Sequence, residues 1–333
     1  MTITSLGDLA HAFIMRRQGA DSKAQIQRLS SELTTGVAQD KAAHLAGNLA
    51  PLAGIETALT QAKGYRSAAL DLGMAAGVMQ IALGTIGDQA QGLSNALLAA
   101  STTTSQTRLT TVAEDAAQRL DTAVSTLNTR FGDRTLFAGT MPNQPALVGS
   151  GQLLDLLAGV VAGATGAQQA EDLVANWFDD PAGFAAQAYL GGDPLDPVGI
   201  SPGETAQLDI TVLDPAIKDM LKALVLPALM TRGLLSGQIA GQADIAKRSG
   251  ERLMEVQSAW TDLAAHLGTT EARLDAAVTR NSAETSALEM TRADLIGVDS
   301  FETATRLEAS QTQLETLYAI TARMQRLNLA DYL

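Results

Sequence analysis

The chain has 333 residues, no cysteine, and 36 acidic against 23 basic side chains, which gives a formal net charge of −13 at pH 7. The negative charge disfavours nucleic acid as a partner, and the lack of cysteine excludes disulfides, thiolate metal sites and cysteine nucleophiles. Aromatic residues make up only 4% of the chain although 46% is hydrophobic, and this composition favours packed helices.

The three histidines of the chain are His11, His44 and His266. They are far apart in the sequence and match no metal-ligand spacing, so we predict neither a metal nor a cofactor. The segment Met1–Phe13 lacks the basic start and apolar stretch of a secretory signal. The most apolar windows, Met74–Ile86 and Leu153–Thr165, are shorter than the roughly 20 residues needed to cross a bilayer. We therefore expect neither a cleaved signal peptide nor a membrane-spanning helix.

The first predicted element is a helix near the start of the chain. Ile26, Leu29 and Leu33 mark one apolar face. Gly36 follows this face and suits the left-handed position that often ends a helix. One apolar stripe cannot build an independent core, so this helix needs a partner.

Two apolar seams with heptad-like spacing come next and predict long helices packed side by side. The first seam consists of Met79, Leu83, Ile86, Ala90, Leu93 and Leu97. The second consists of Leu109, Ala113, Ala116, Leu120, Ala123 and Leu127. The Thr-rich stretch Ser101–Ser105 joins the two seams, and the whole pattern predicts a helical bundle.

The most specific string of the chain, Arg130–Thr140, predicts a transition from helix to hairpin. Gly132 is suited to end the preceding helix in a left-handed conformation. The residues Leu136 and Phe137 favour an extended segment, and Gly139 allows a turn. The string contains no arrangement of residues suited to catalysis.

The middle of the chain is acidic and rich in proline. Eight of the nine prolines lie between Pro142 and Pro227, and residues 136–216 hold ten acidic and no basic side chains. Short helices are predicted at Leu153–Val161 and Asp214–Met230, and a strand at Ala206–Leu213, which together suggest a small α+β domain. The acidic residues at 179, 180, 193 and 196 lack the order of a calcium loop, so we interpret them as solvated surface.

Helical patterning returns after the middle zone. A third seam consists of Leu253, Val256, Trp260, Leu263 and Leu267. Asp299 and Glu302 have the spacing of a capping box and predict the start of a last helix. The apolar stripe of this last helix consists of Leu307, Leu314, Leu317, Tyr318, Met324 and Leu327.

The predicted fold is therefore mainly α, a long antiparallel helical bundle or coiled coil formed by the N- and C-terminal flanks, with a small α+β middle domain inserted. Five segments are predicted. They are an N-terminal helix at 1–45, bundle helices with a hairpin at 46–140, a variable acidic domain at 141–231, a returning bundle helix at 232–297 and a C-terminal helix at 298–333.

Four strings resemble the bacterial flagellin superfamily, most closely the hook-associated protein 3 family, whose members join the flagellar hook to the filament. They are Leu29–Gly36, Phe131–Thr140, Asp294–Asp299 and Leu327–Leu333. The first and third are shared with flagellins in general, whereas the string Leu136–Thr140 favours the junction family. The hairpin motif of that family corresponds here to Phe131, Gly132, Leu136, Phe137, Ala138, Gly139 and Thr140.

The resemblance implies a structural protein of the extracellular flagellum, exported unfolded through the flagellar type III channel without a cleaved signal. The terminal helices would assemble with other copies, and the acidic zone would project outward. The implied assembly residues are Ile26, Leu29, Leu33, Leu307, Leu314, Leu317, Tyr318, Met324 and Leu327. The implied partners are further copies of the chain, a neighbouring hook-associated junction protein, flagellin and an export chaperone, with no nucleic acid and no membrane.

Three other interpretations remain open at this point. The chain could be a flagellin that forms the filament itself, which would be made in thousands of copies. It could be a coiled-coil binding module with no flagellar role, which predicts ordered ends in a small stable oligomer. An enzyme in the middle zone is the third alternative, and it would require a catalytic pocket there.

Overall fold

The computed structural model describes residues 6–102 and 104–330, and this part of the chain is mainly α-helical. The predicted fold class is thereby confirmed. The helices and strands, in chain order, are α1 (Leu6–Thr35), α2 (Lys41–His44), α3 (Ala50–Ser101), α4 (Gln106–Leu127), β1 (Arg130–Phe131), β2 (Arg134–Thr135), α5 (Ser150–Val160), α6 (Ala167–Asp179), α7 (Phe184–Gln187), β3 (Val198–Ser201), β4 (Glu204–Ala206), α8 (Pro215–Ala228), α9 (Ile239–Ile296) and α10 (Ser300–Ala330).

The chain divides into two compact units. The central unit is Gly64–Asn281, and the terminal unit combines Met1–Lys63 with Ser282–Leu333. Two long helices, α3 and α9, contribute residues to both units. The large hydrophobic core lies wholly inside the central unit, between Ala69 and Ala277.

The core of the central unit is built from the predicted seams. All twelve residues of the first two seams are buried, with at most 2% of their surface exposed. The five residues of the third seam are buried as well. The heptad-like spacing therefore identified the face of each helix that packs inward.

Polar contacts fix the three core helices against one another. The Trp260 indole N–H donates to the Leu83 carbonyl at 3.0 Å, which joins α9 to α3. The Ser94 hydroxyl donates to the Gly250 carbonyl at 2.8 Å. The guanidinium of Arg119 on α4 donates to the backbone carbonyl of Gln89 at 3.0 Å. These bonds satisfy buried polar groups that would otherwise cost free energy on folding.

Among the described helices, α3 alone is long and apolar enough to cross a membrane by length and composition. The expectation that every apolar segment is too short was therefore wrong for this 52-residue helix. Its apolar face is buried in the core, since Met79, Leu83 and Ile86 are almost fully covered. A helix buried in the core of a folded unit can have the same length and apolar composition as a membrane-spanning helix, which explains the composition of α3.

The middle zone contains four helices and a two-stranded ribbon. Helices α5 and α8 lie close to their predicted positions, and the Asp214 carboxylate caps α8 by accepting from the Ala216 N–H at 2.9 Å. The predicted strand at Ala206–Leu213 is wrong, because only Ala206 belongs to a strand and the ribbon is formed by β3 and β4. The alternation had a real cause, since the side chains at 206, 208, 210 and 212 are all buried. They pack without a strand partner.

Candidate assembly surface

Two of the motif strings meet in the terminal unit. Val37 and Gly297 form an antiparallel β-bridge. The Ala38 N–H donates to the Ile296 carbonyl at 2.9 Å, and the Val298 N–H donates to the Gly36 carbonyl at 3.1 Å. This bridge joins the end of α1 to the start of α10, so the two helices run antiparallel. The strings Leu29–Gly36 and Asp294–Asp299 therefore contact each other, and together they hold α1 and α10 side by side.

The predicted ends of these helices are confirmed. Gly36 follows α1 with φ +70°, the left-handed conformation expected of a helix-ending glycine. The Asp299 carboxylate caps α10 by accepting from the N–H groups of Phe301 at 2.8 Å and Glu302 at 3.1 Å. The Glu302 carboxylate pairs with Arg306 at 3.7 Å within the same helix.

The predicted assembly residues are covered to very different degrees. Leu29 is buried, with 4% of its surface exposed, and the half-buried residues are Ile26, Leu307, Leu314 and Leu317. Leu33 and Tyr318 are exposed, the latter to 52%. Met324 and Leu327 lie in α10, but their side chains are outside the described residues. The helix pair therefore covers only part of its own apolar stripe.

Four exposed apolar side chains on the same helix pair were missed by the sequence analysis. They are Phe13 (67% exposed), Ile14, Phe301 (84%) and Ile320. The available signal was a large apolar residue in an otherwise polar helix outside the predicted stripe. A large exposed aromatic residue is typical of a surface that is buried in a complex.

Three of the four buried residues of α1 and α10 whose side chains are described are small and polar. The buried residues include Ser22 on α1 and Thr303 and Ser310 on α10, with Leu29 as the large apolar member. Small side chains let the helices approach closely, but they remove little apolar surface from water. At about 25 cal/mol per Å² of buried apolar surface, such a contact is weakly stabilising. The pairing is therefore expected to open far more easily than the central core.

A shallow groove of about 690 Å³ runs along this helix pair. Its lining residues are Gln18, Thr305, Glu308, Ala309, Thr312, Gln313, Thr316 and Leu317. At the same level of the pair, the ammonium group of Lys23 lies 5.7 Å from the centre of the Tyr318 ring. This contact with Tyr318 raises the pKa of Lys23. The lining of the groove mixes polar side chains with the apolar residues Ala309 and Leu317.

Limited proteolysis of the isolated protein is expected to remove about forty residues from each end and to leave the centre intact. The terminal helices are cut first because their contact buries few apolar side chains. Mass spectrometry of the fragments provides the measurement. Full protection of both ends in a monomer would contradict this expectation.

The hairpin motif folds differently from its predicted form. The strands are β1 and β2, with Arg130 opposite Thr135 and Phe131 opposite Arg134. Gly132 lies in the turn between them with φ +62° and does not end the preceding helix, which stops at Leu127. The pair Leu136–Phe137 forms a turn instead of the extended segment predicted. The reason is that a two-residue loop at 132 and 133 already closes the ribbon.

The second half of the motif is a docking point for the middle zone. The Thr140 N–H donates to the Asp193 carbonyl at 2.9 Å, and the Gly192 N–H donates to the Ala138 carbonyl at 2.9 Å. Phe137 and Ala138 are fully buried. Gly139 has φ +55°, as a turn requires, and a Cβ there would overlap the Asp193 carbonyl and lie 2.6 Å from the Gly192 oxygen. The motif is therefore structural, and it fixes the turn at 191–193 to the end of the bundle.

The acidic side chains of the middle zone are partly paired. Asp179 accepts from Lys222 at 2.9 Å and from Lys218 at 3.3 Å. Partial burial alone would raise the pKa of Asp179, but the two lysines outweigh it and the pKa lies below its ordinary value. Within residues 6–102 and 104–330, no group of three acidic or histidine side chains is arranged to hold a metal ion.

Comparison with known families identifies the C-terminal quarter of the chain. The model of the bacterial flagellin C-terminal helical region matches residues 253–333. The match covers α10 and the part of α9 that begins at the third seam.

One solved structure similar to the chain is that of a protein from Vibrio parahaemolyticus, provisionally assigned as flagellar hook-associated. The similarity covers 73% of this chain and 95% of that one, with 13% sequence identity and a TM-score of 0.49. No curated protein matches the sequence significantly.

Proposed function

We propose that the chain belongs to the flagellin superfamily and is a hook–filament junction protein, which adapts the flagellar hook to the flagellin filament by helical self-assembly. The observation that carries the proposal is the incompletely covered terminal helix pair. Its stripe is half-buried at Ile26, Leu307, Leu314 and Leu317 and exposed at Leu33 and Tyr318. Such a surface is completed when neighbouring copies pack together.

In this proposal the terminal segments 1–45 and 298–333 form the inner layer of the axial structure. The bundle segments 46–140 and 232–297 form the layer outside it, and the acidic zone 141–231 faces outward. Because weakly paired helices must become fully ordered when copies meet, assembly is cooperative and depends on an existing end as a template. The proposed partners are other copies, a neighbouring hook-associated protein, flagellin and an export chaperone.

The motif Leu136–Thr140 favours a junction protein over a filament subunit. Its resemblance is to the junction family, and in this structure it folds as the docking point for the turn at 191–193. A flagellin of the filament itself is the second candidate function, supported by the match of residues 253–333 to the flagellin C-terminal region.

Deletion of the gene in its motile host, followed by electron microscopy of the cells and a protein gel of the medium, tests the proposal. We expect bare hooks with filament subunits lost to the medium, because subunits exported past an unfinished junction have no end to join. Complementation with the intact gene provides the control. Normal filaments would overturn the proposal, and bare hooks with no filament protein in the medium would replace it with the flagellin function.

A further inference from the structure

The ribbon of β3 and β4 lies at the end of the central unit and is held there by polar contacts to α9. The Asn281 amide donates to the Ile200 carbonyl at 2.8 Å, and the Ser201 hydroxyl donates to the Asn281 side-chain oxygen at 3.1 Å. Asn281 is 1% exposed. Leu274 and Asn281 follow Leu267, the last residue of the third seam, at successive steps of seven residues, so Asn281 occupies a position where an apolar residue would ordinarily pack.

Arginines on the outer side of α9 complete this attachment. The Arg280 guanidinium donates to the Ser201 hydroxyl at 3.0 Å and also to the Glu204 carboxylate. The Arg273 guanidinium donates to the Thr205 carbonyl at 3.1 Å. The ribbon therefore contacts α9 over about two turns, between residues 273 and 281.

The same ribbon also touches α3. A Cβ at Gly199 would lie 3.4 Å from the Tyr65 ring, so β3 passes close to that ring. Tyr65 and Asn281 stand at the two limits of the central unit, Gly64 and Asn281. The ribbon thus contacts both long helices at the points where they leave this unit.

We propose that the β3–β4 ribbon is a collar that fixes where the stable body of the protein ends. Both α3 and α9 continue into a unit that lies outside the large core. A continuous helix transmits fraying inward unless a tertiary contact stops it. The collar supplies that contact, so opening of the assembling ends does not extend into the central bundle. The collar rests on the proposed function in one respect, because it takes the two ends of the chain to be the segments that assemble.

Hydrogen–deuterium exchange of the isolated full-length chain, read by mass spectrometry, tests the collar. In the unmodified chain we expect strong protection between Gly64 and Asn281 and a steep fall outside these limits. The double substitution Ser201→Ala with Asn281→Leu removes the two hydrogen bonds between Asn281 and the ribbon, and the bond from Arg280 to the Ser201 hydroxyl, while an apolar side chain fills the seam. Amides at 270–281 and 65–72 are then expected to exchange at least about tenfold faster, with helices α4 and α8 unchanged.

Two further variants keep this test decisive. Ser94→Ala removes a buried hydrogen bond between α3 and α9 that is remote from the ribbon, and it should leave the limit of protection in place. Arg280→Ala changes a half-exposed side chain and should produce a smaller shift in the same direction as the double variant. Unchanged exchange at 270–281 in both collar variants would overturn the proposal. The exchange pattern of the isolated chain does not depend on assembly. Normal filaments after gene deletion would therefore refute the junction function without refuting the collar.

Discussion

Cells that carry Leu314→Asp together with Leu317→Asp are expected to lose motility although the altered protein keeps its central fold. Both leucines are half-buried in the terminal helix pair, and Leu317 lines the groove along it. If neighbouring copies complete this surface, each carboxylate becomes buried without a partner. That costs about 3 kcal/mol or more per site, a factor above about 100 in the assembly equilibrium.

The measurement is swarming of a gene-deletion strain that expresses the variant, together with the amount of variant recovered in purified hook–filament particles. The melting temperature of the purified variant should stay at the wild-type value, since the large core lies between Ala69 and Ala277. Arg306→Ala is the matched control on the same helix. Its ion pair with Glu302 is highly exposed, so its loss should leave swarming normal. Normal swarming of the double Asp variant would show that this surface is not buried in the assembly.

Helix positions could be predicted from the sequence because their evidence is local. The apolar seam from Met79 to Leu97 repeats at the helical period, and every one of its members is buried. The start of α10 at Asp299 and the end of α1 at Gly36 follow from capping chemistry within four residues. Such features need no knowledge of the rest of the chain.

Features that depend on distant parts of the chain could not be predicted. Ala206–Leu213 shows strand-like alternation because alternate side chains are buried, but whether a segment joins a ladder depends on a partner that the segment does not encode. The ribbon of β3 and β4 and its bonds to Asn281 connect residues about 80 positions apart. The sequence shows that Asn281 is a polar residue at a seam position, but it does not show that the ribbon at Ile200 and Ser201 bonds to it.

The candidate assembly surface was predicted only in outline. An apolar stripe such as Leu307 to Leu317 indicates that a helix packs against a partner. It does not reveal what fraction of the stripe is buried within the same chain. The structure divides the predicted residues, because Leu29 is buried while Tyr318 stays exposed. Phe301 escaped prediction because it lies beside the capping residue and outside the stripe, although it is the most exposed large apolar side chain among the described residues.

Gly139→Ala is expected to lower the free energy of unfolding of the central unit by about 3 kcal/mol or more. Two costs add at this position. The left-handed backbone, with φ +55°, disfavours any residue that has a Cβ, and the new Cβ would overlap the backbone carbonyl of Asp193. Because the obstacle is backbone and not the end of a flexible side chain, the turn at 191–193 must move. Its hydrogen bond from the Thr140 N–H then weakens.

Gly132→Ala is the matched control, because the two glycines share one backbone conformation and differ in their neighbours. Gly132 has φ +62° with no atom within 4 Å of an added Cβ, so its substitution measures the conformational cost alone, about 1 kcal/mol. For a unit of this size the difference of about 2 kcal/mol corresponds to a melting temperature roughly 4–8 °C lower for Gly139→Ala. Calorimetry of both variants measures it. Equal melting temperatures would mean that the motif does not hold the 191–193 turn, whereas the expected gap assigns the motif string Leu136–Thr140 to docking the middle zone on the bundle.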